Sequence, residues 1–284
     1  MTVSCGKLLK PINPAKAETL KRLYSVIGSM PVVLLGAFAR DVVFEHVHGI
    51  EAPRGTMDID TCVQMASWGD FKETCEQLKA IGFREDGPDH PEKMYDTNEQ
   101  EVDLLPFGSL SEDGKSVVWP QDESQWTITG IQEAHDHAWR VQIDDELELR
   151  VIPPCAMIYL KMFSVHDRPE ARRKKDTGDV QFVLKNYLTV TGRDRLLSGG
   201  SDRDVMELAE GDLEVATARI AGRDIGNTLN NVSAKELAEI LRIETVSNTY
   251  KPIAQELAGL CRGDFGRARE ILTSLKSGFN EARG

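Results

Sequence analysis

The stretch PVVLLGAFARD, residues 31–41, decides the fold. Its first half is a short apolar run ending in glycine, the pattern of a strand buried on both faces. From Ala37 to His48 the spacing turns helical and stops at Gly49, so Gly36 marks a strand-to-helix turn. Upstream, residues 14–29 repeat apolar positions at helical intervals, with Leu20, Leu23, Val26 and Ile27 on one face. Downstream, IEAPRGT reads as a loop by its proline and glycine. It leads into MDIDTCV, residues 57–63, where strand alternation lets Asp58 and Asp60 share one side. An amphipathic helix at 69–81 ends at Gly82, and strand-like pieces follow at 92–96, 100–107 (QEVDLLPF), 126–130 and 147–152. The expectation is an α/β (α+β) architecture, a small mixed sheet with flanking helices.

After Pro153 the character changes. Pro154 opens a helix, PCAMIYLKMFSVHD, and a second is expected at roughly 175–187. Beyond about 190 the pattern is almost wholly helical, over 203–221, 234–242 and 252–282. The stretch around 189–202, TVTGRDRLLSGGSD, is rich in glycine, serine and threonine and reads as a boundary. Two domains are expected: 1–189, with its sheet at about 30–152 and helices at 153–188, and an all-helical 190–284. A length of 284 residues agrees, since single cores rarely grow past about 250. In the helical part Leu208, Leu213, Ala216, Ile220, Leu237, Ile240 and Leu241 read as packing faces, or as a surface for a partner protein.

Hydrophobic residues at 40 % and charged residues at 28 % exclude wholesale disorder. No run approaches the roughly 18 apolar residues that span a bilayer, so no membrane partner is expected. The first residues lack the apolar core of a signal peptide. Five scattered cysteines (5, 62, 75, 155 and 261), an odd number without a CxxC pair, argue against a disulfide framework or zinc site and for a reducing cytoplasm. With 46 acidic and 34 basic residues the net charge is −12. A polyanionic partner such as RNA then needs a local basic patch or bridging metal ions.

The chemistry concentrates in carboxylates. Residues i and i+2 of a strand lie about 7 Å apart on one side. Two carboxylates there repel each other and call for a cation. Magnesium suits them, because it takes hard oxygen ligands at about 2.1 Å and leaves positions open for phosphate oxygens. Asp103, between Val102 and Leu104, adds a third acid in a strand of the same kind. Three such groups on neighbouring strands are what two-metal phosphoryl transfer requires. The structural readings stand beside these: Asp-rich strand ends also start turns, and a glycine often serves only a turn. Lys161, inside the apolar CAMIYLKMF, meets an anion or snorkels to the surface. Arg172, Arg173, Lys174 and Lys175 form a solvated helix face or a phosphate-contacting patch. His46 and His48, two apart on a helix, point to different faces. His135 and His137 share a face only if their segment is a strand. Trp119 and Trp126 read as core or as stacking surfaces for a base.

Taken together, the Gly36 turn, Arg54-Gly-Thr56-Met-Asp58-Ile-Asp60, Val102-Asp103-Leu104, and Lys161 with Arg168, then Lys175-Asp176 and Asp179, form a combination. It resembles the nucleotidyltransferases of the polymerase-beta superfamily, and within them the AbiEii-type toxins of abortive-infection and toxin–antitoxin pairs. The likeness covers roughly residues 30–188 and leaves the helical tail unmatched. It implies a nucleoside triphosphate donor and two magnesium ions, or manganese in their place, on Asp58, Asp60 and Asp103. Asp103 would assist the attacking hydroxyl, and Lys161 would sit on the triphosphate. Gly36, Ala37, Arg54, Thr56, Lys161, Arg168, Asp176 and Asp179 would form the nucleotide-binding set. The acceptor it suggests is RNA, particularly tRNA, and the partner a cognate antitoxin protein. Ala37 departs from the Gly or Ser usual after the glycine and leaves only a backbone N–H for phosphate. The alternative is a nucleotide-binding regulatory or partner-binding protein without catalysis.

Overall fold

Val32, Val33 and Leu34 are buried in a strand, β2 (Val32–Leu35), as their continuous apolar character requires. The structure is a computed structural model that describes residues 4–5, 8–87, 89–167, 170–246 and 251–284, without the side chains of 4, 5, 167, 171 and 172. By contacts the chain divides into two units, Met1–Pro153 and Pro154–Gly284.

The first unit begins with β1 (Ser4–Cys5) and α1 (Pro14–Ile27). Asn13 caps α1 by accepting from the Ala15 N–H at 2.9 Å, and Pro14 starts the first turn. After β2, α2 (Gly36–Asp41) runs directly into π-helical turns at Val42–Val47. Then come β3 (Ile59–Gln64), α3 (Trp68–Ala80), β4 (Arg84–Gly87), β5 (His90–Tyr95), β6 (Glu101–Phe107), β7 (Ser116–Val118) and β8 (Gln125–Thr127). The unit closes with α4 (Ile131–Asp136), β9 (Trp139–Gln142) and β10 (Glu148–Val151).

Eight of the strands form one mixed sheet in the order β1-β9-β10-β2-β3-β6-β5-β4, the mixed sheet with flanking helices that was expected, while β7 and β8 pair as a separate ribbon. The middle of the sheet is β2 antiparallel to β3 and β3 parallel to β6. Trp119 is fully buried against Trp68, Phe71 and Trp126, so it belongs to the core.

The second unit holds α5 (Pro154–Asp167), α6 (Glu170–Thr191), α7 (Val205–Leu208), α8 (Leu213–Thr228), α9 (Asn231–Thr245), α10 (Pro252–Leu260) and α11 (Phe265–Arg283). The sequence reading grouped helices 153–188 with the sheet and put the boundary near 189. Instead α6 runs on to Thr191 and packs against α5, α8 and α10, so the glycine-rich stretch lies inside the helical unit. Within that unit α8 and α11 touch backbone to backbone. A Cβ at Gly278 would stand 1.9 Å from the Arg219 carbonyl oxygen, and one at Gly222 would stand 2.0 Å from that of Leu275. Ala216, Ile220, Leu237, Ile240 and Leu241 are buried as expected, whereas Leu208 and Leu213 are exposed. No described helix is long and apolar enough to cross a membrane.

Candidate functional site

Register brings two of the three expected acids together. In the parallel pair of β3 and β6, Asp60 stands opposite Asp103, while the flanking Ile59, Val102 and Leu104 turn into the core. Alternation thus sends both carboxylates to the other face of the sheet. Gly36, just after the neighbouring β2, seats its backbone directly against the Asp60 member of this pair. Its φ is +72°, and a Cβ there would fall 1.9 Å from Asp60 Oδ2 and 2.5 Å from Asp60 Cγ. The glycine therefore answers two demands at once, a left-handed turn and close approach to an acid.

The electrostatics are dominated by carboxylates. Asp103 Oδ1 is buried without a hydrogen-bond partner, and Lys93 Nζ stands 4.0 Å away. Lys93 itself is ion-paired to Glu101. Burial first, and then the charge of Asp60, push the Asp103 carboxyl up to about 7. Asp58 lies just before β3, with Thr56 Oγ1 donating to its Oδ1.

Asp60 and Asp103 fit a hard divalent cation: they offer carboxylate oxygens on one face, one of them orphaned, beside a turn kept clear of a side chain. The expected set of three is not assembled. Among the described residues no three acidic, imidazole or thiol side chains are grouped closely enough to hold one ion. Asp58 precedes β3 rather than lying in its register, and it is taken up by the Thr56 hydroxyl.

Two groups beside these acids were not singled out in the sequence. Lys16, on α1, donates to the Thr56 carbonyl at 2.9 Å and lies over the Phe38 ring, 4.6 Å from its centroid. Burial draws this lysine below its ordinary value, while Asp41, Asp58 and Asp60 attract its charge. Arg40, buried, donates through Nε to Asp41 at 2.8 Å and through Nη2 to the Arg54 carbonyl at 2.9 Å. Burial raises Asp41 against the pull of that guanidinium. Arg40 had a signal, a charged pair inside an apolar helix start. Lys16 had none, because its hydrogen-bond partner is 40 residues away in the chain.

Lys161 lies on α5 in the helical unit and neither snorkels nor stands alone. Its Nζ donates to Asp176 Oδ1 at 2.7 Å and is 3.3 Å from Asp179 Oδ2, both carboxylates being buried on α6. The KDxxD segment thus holds the lysine. Arg168 lies outside the described residues, as does the side chain of Arg172. Arg173 donates to the Val165 carbonyl at 3.2 Å, and Lys174 and Lys175 are exposed.

His46 and His48 face different carbonyls, those of Lys10 and Val43. His135 belongs to α4 and His137 caps it, so the strand on which they would share a face does not form. The described cysteines, Cys62, Cys75, Cys155 and Cys261, are free thiols.

No family model matches this chain, and no curated protein matches it. Among solved structures it is similar to that of the antibiotic-resistance factor ANT(2'')-Ia. That likeness has 13 % identity and a TM-score of 0.40, over 62 % of this chain and 86 % of the other. It is also similar to a tRNA-processing enzyme in an apo form, with 11 % identity and a TM-score of 0.24, over 95 % of this chain and 92 % of the other. Scores this low carry no argument about function.

Proposed function

We propose that this protein is a magnesium-dependent nucleotidyltransferase that moves a nucleoside monophosphate from a nucleoside triphosphate to an acceptor hydroxyl. The acceptor in this reading is RNA, tRNA in particular, and the protein is the toxin-like member of a pair with an antitoxin. The observation that carries the chemistry is the Asp60–Asp103 pair, in register across two parallel strands, with Asp60 pressed against Gly36 and a buried oxygen of Asp103 without a hydrogen-bond partner. A purely structural strand pair gains nothing from two facing acids in a half-buried setting.

When bound, magnesium supplies positive charge for the triphosphate and polarises the reacting oxygens. The chain's own residues do the rest. Asp60 and Asp103 would hold the ions, Asp58 would have to swing in from the strand entry to join them, and Thr56 donates a hydrogen bond from its hydroxyl to Asp58. Gly36 keeps the turn bare so that backbone and phosphate can approach. The acceptor oxygen bonds to the α-phosphorus, and the bond from that phosphorus to the α–β bridging oxygen breaks. Pyrophosphate leaves with that electron pair, and the hydroxyl proton passes to Asp103.

The test is incubation with α-labelled triphosphates, magnesium and a cell extract, followed by identification of the labelled molecule. Label on RNA is expected, lost in Asp60→Ala and Asp103→Ala variants that remain folded, because neither side chain contributes to the core. Full transfer by either variant at saturating magnesium sinks the assignment, and transfer by none of the proteins favours a binding role.

A further inference from the structure

Lys16 sits where an ammonium has little reason to be unless it serves the acids. It comes from α1 and contacts two separate pieces of the site, the Thr56 carbonyl at 2.9 Å and the Phe38 ring on α2 at 4.6 Å, within the field of Asp41, Asp58 and Asp60. Thr56 in turn donates to Asp58. One lysine therefore anchors the loop that delivers Asp58 and packs on the helix that follows Gly36, where the charges of Asp58 and Asp60 act on it. Burial makes its charge costly in that place, and the charges of Asp41, Asp58 and Asp60 offset only part of that cost.

We infer that Lys16 is a positioning residue: a resident counter-cation that holds the Asp58–Asp60 strand entry when no divalent ion is bound and that competes electrostatically with that ion. This inference rests on the carboxylate site of the proposed function. It assigns Lys16 no contact with substrate and no part in proton transfer. Its consequence is a sign opposite to that of a structural lysine. Removing a purely structural anchor loosens the loop and weakens metal binding. Removing a resident cation leaves the acids under-neutralised, so an incoming divalent ion binds more tightly.

The experiment is manganese binding to the full chain without nucleotide, read by electron paramagnetic resonance of free Mn2+ and by calorimetry. The proteins are wild type, Lys16→Met, Lys16→Arg and Asp60→Ala. A charge lost at several ångströms in a solvated site corresponds to about a tenfold change in divalent affinity. Lys16→Met is expected to tighten Asp60-dependent Mn2+ binding by about that factor, and Lys16→Arg, which keeps the charge, to stay near wild type. Lys16→Gln replaces Lys16→Met should the latter not fold. Asp60-dependent binding that is unchanged or weakened without the lysine charge overturns the inference and leaves the metal site standing. Absence of Asp60-dependent binding in wild type and both charge-removing variants overturns the metal site and the inference together.

Discussion

Gly36→Ala perturbs the molecule at the closest approach in its sheet unit. The added Cβ meets Asp60 Oδ2 at 1.9 Å and Asp60 Cγ at 2.5 Å, on a residue whose φ is +72°. The left-handed backbone alone costs an L-residue about 1–2 kcal/mol. Relieving the overlap pushes Asp60 off its rotamer or shifts the turn, another 1–3 kcal/mol or so. The expected loss is therefore about 2–5 kcal/mol. In an Asp60→Ala background the oxygen and Cγ are gone and only the Asp60 Cβ, at 2.9 Å, remains close. There Gly36→Ala should cost about 1–2 kcal/mol less than in wild type, a coupling within the usual range for touching residues. Urea unfolding of the four proteins in chelator, with a common m-value, measures it. If the two substitutions add within about 0.5 kcal/mol, Gly36 does not press on the Asp60 carboxylate, and the account of this turn fails.

Asp103 makes stability depend on pH. Its carboxyl moves from 3.8 unfolded to about 7 folded, so the folded state binds more protons between those values. Without metal, stability falls as pH rises through that window, by at most about 4 kcal/mol. Asp103→Asn should remove this slope and be the more stable protein at pH 8, with the advantage gone near pH 4; parallel stability profiles in chelator would contradict this. Lys161→Ala strands Asp176 and Asp179 without their ammonium. A loss of about 3–5 kcal/mol is expected, read from unfolding midpoints; an unchanged midpoint would contradict the buried ion-pair reading. Gly278→Ala sets a Cβ against a main-chain oxygen that cannot swing aside, so a cost of about 3 kcal/mol or more should appear in thermal unfolding; a neutral result would contradict the close helix crossing.

What was legible in the sequence was what local chemistry writes. The apolar run at 32–35, its terminal glycine and the helix after it follow from short-range pattern, and all three appear where expected. The alternation in QEVDLLPF likewise marks β6, with Asp103 against the grain of its neighbours. That Asp60 and Asp103 face each other is set by pairing across 43 residues, which no local pattern encodes. Lys16 was invisible for the same reason. The domain boundary misled because a glycine- and serine-rich stretch signals flexible chain wherever it falls, while the division depends on which helices α6 packs against. Asp176 and Asp179 were legible as a motif, but their grip on Lys161 needs α5 and α6 to pack side by side.

The crossing of α8 and α11 at Gly222 and Gly278 leaves no room for solvent between the two main chains. Amide protons flanking that seam should then trade with deuterium only when the whole bundle opens, making them the slowest in the helical half. A fragment cut anywhere in α11 would lose the partner that seals this line, and the rest of the bundle would keep no slow-exchanging heart.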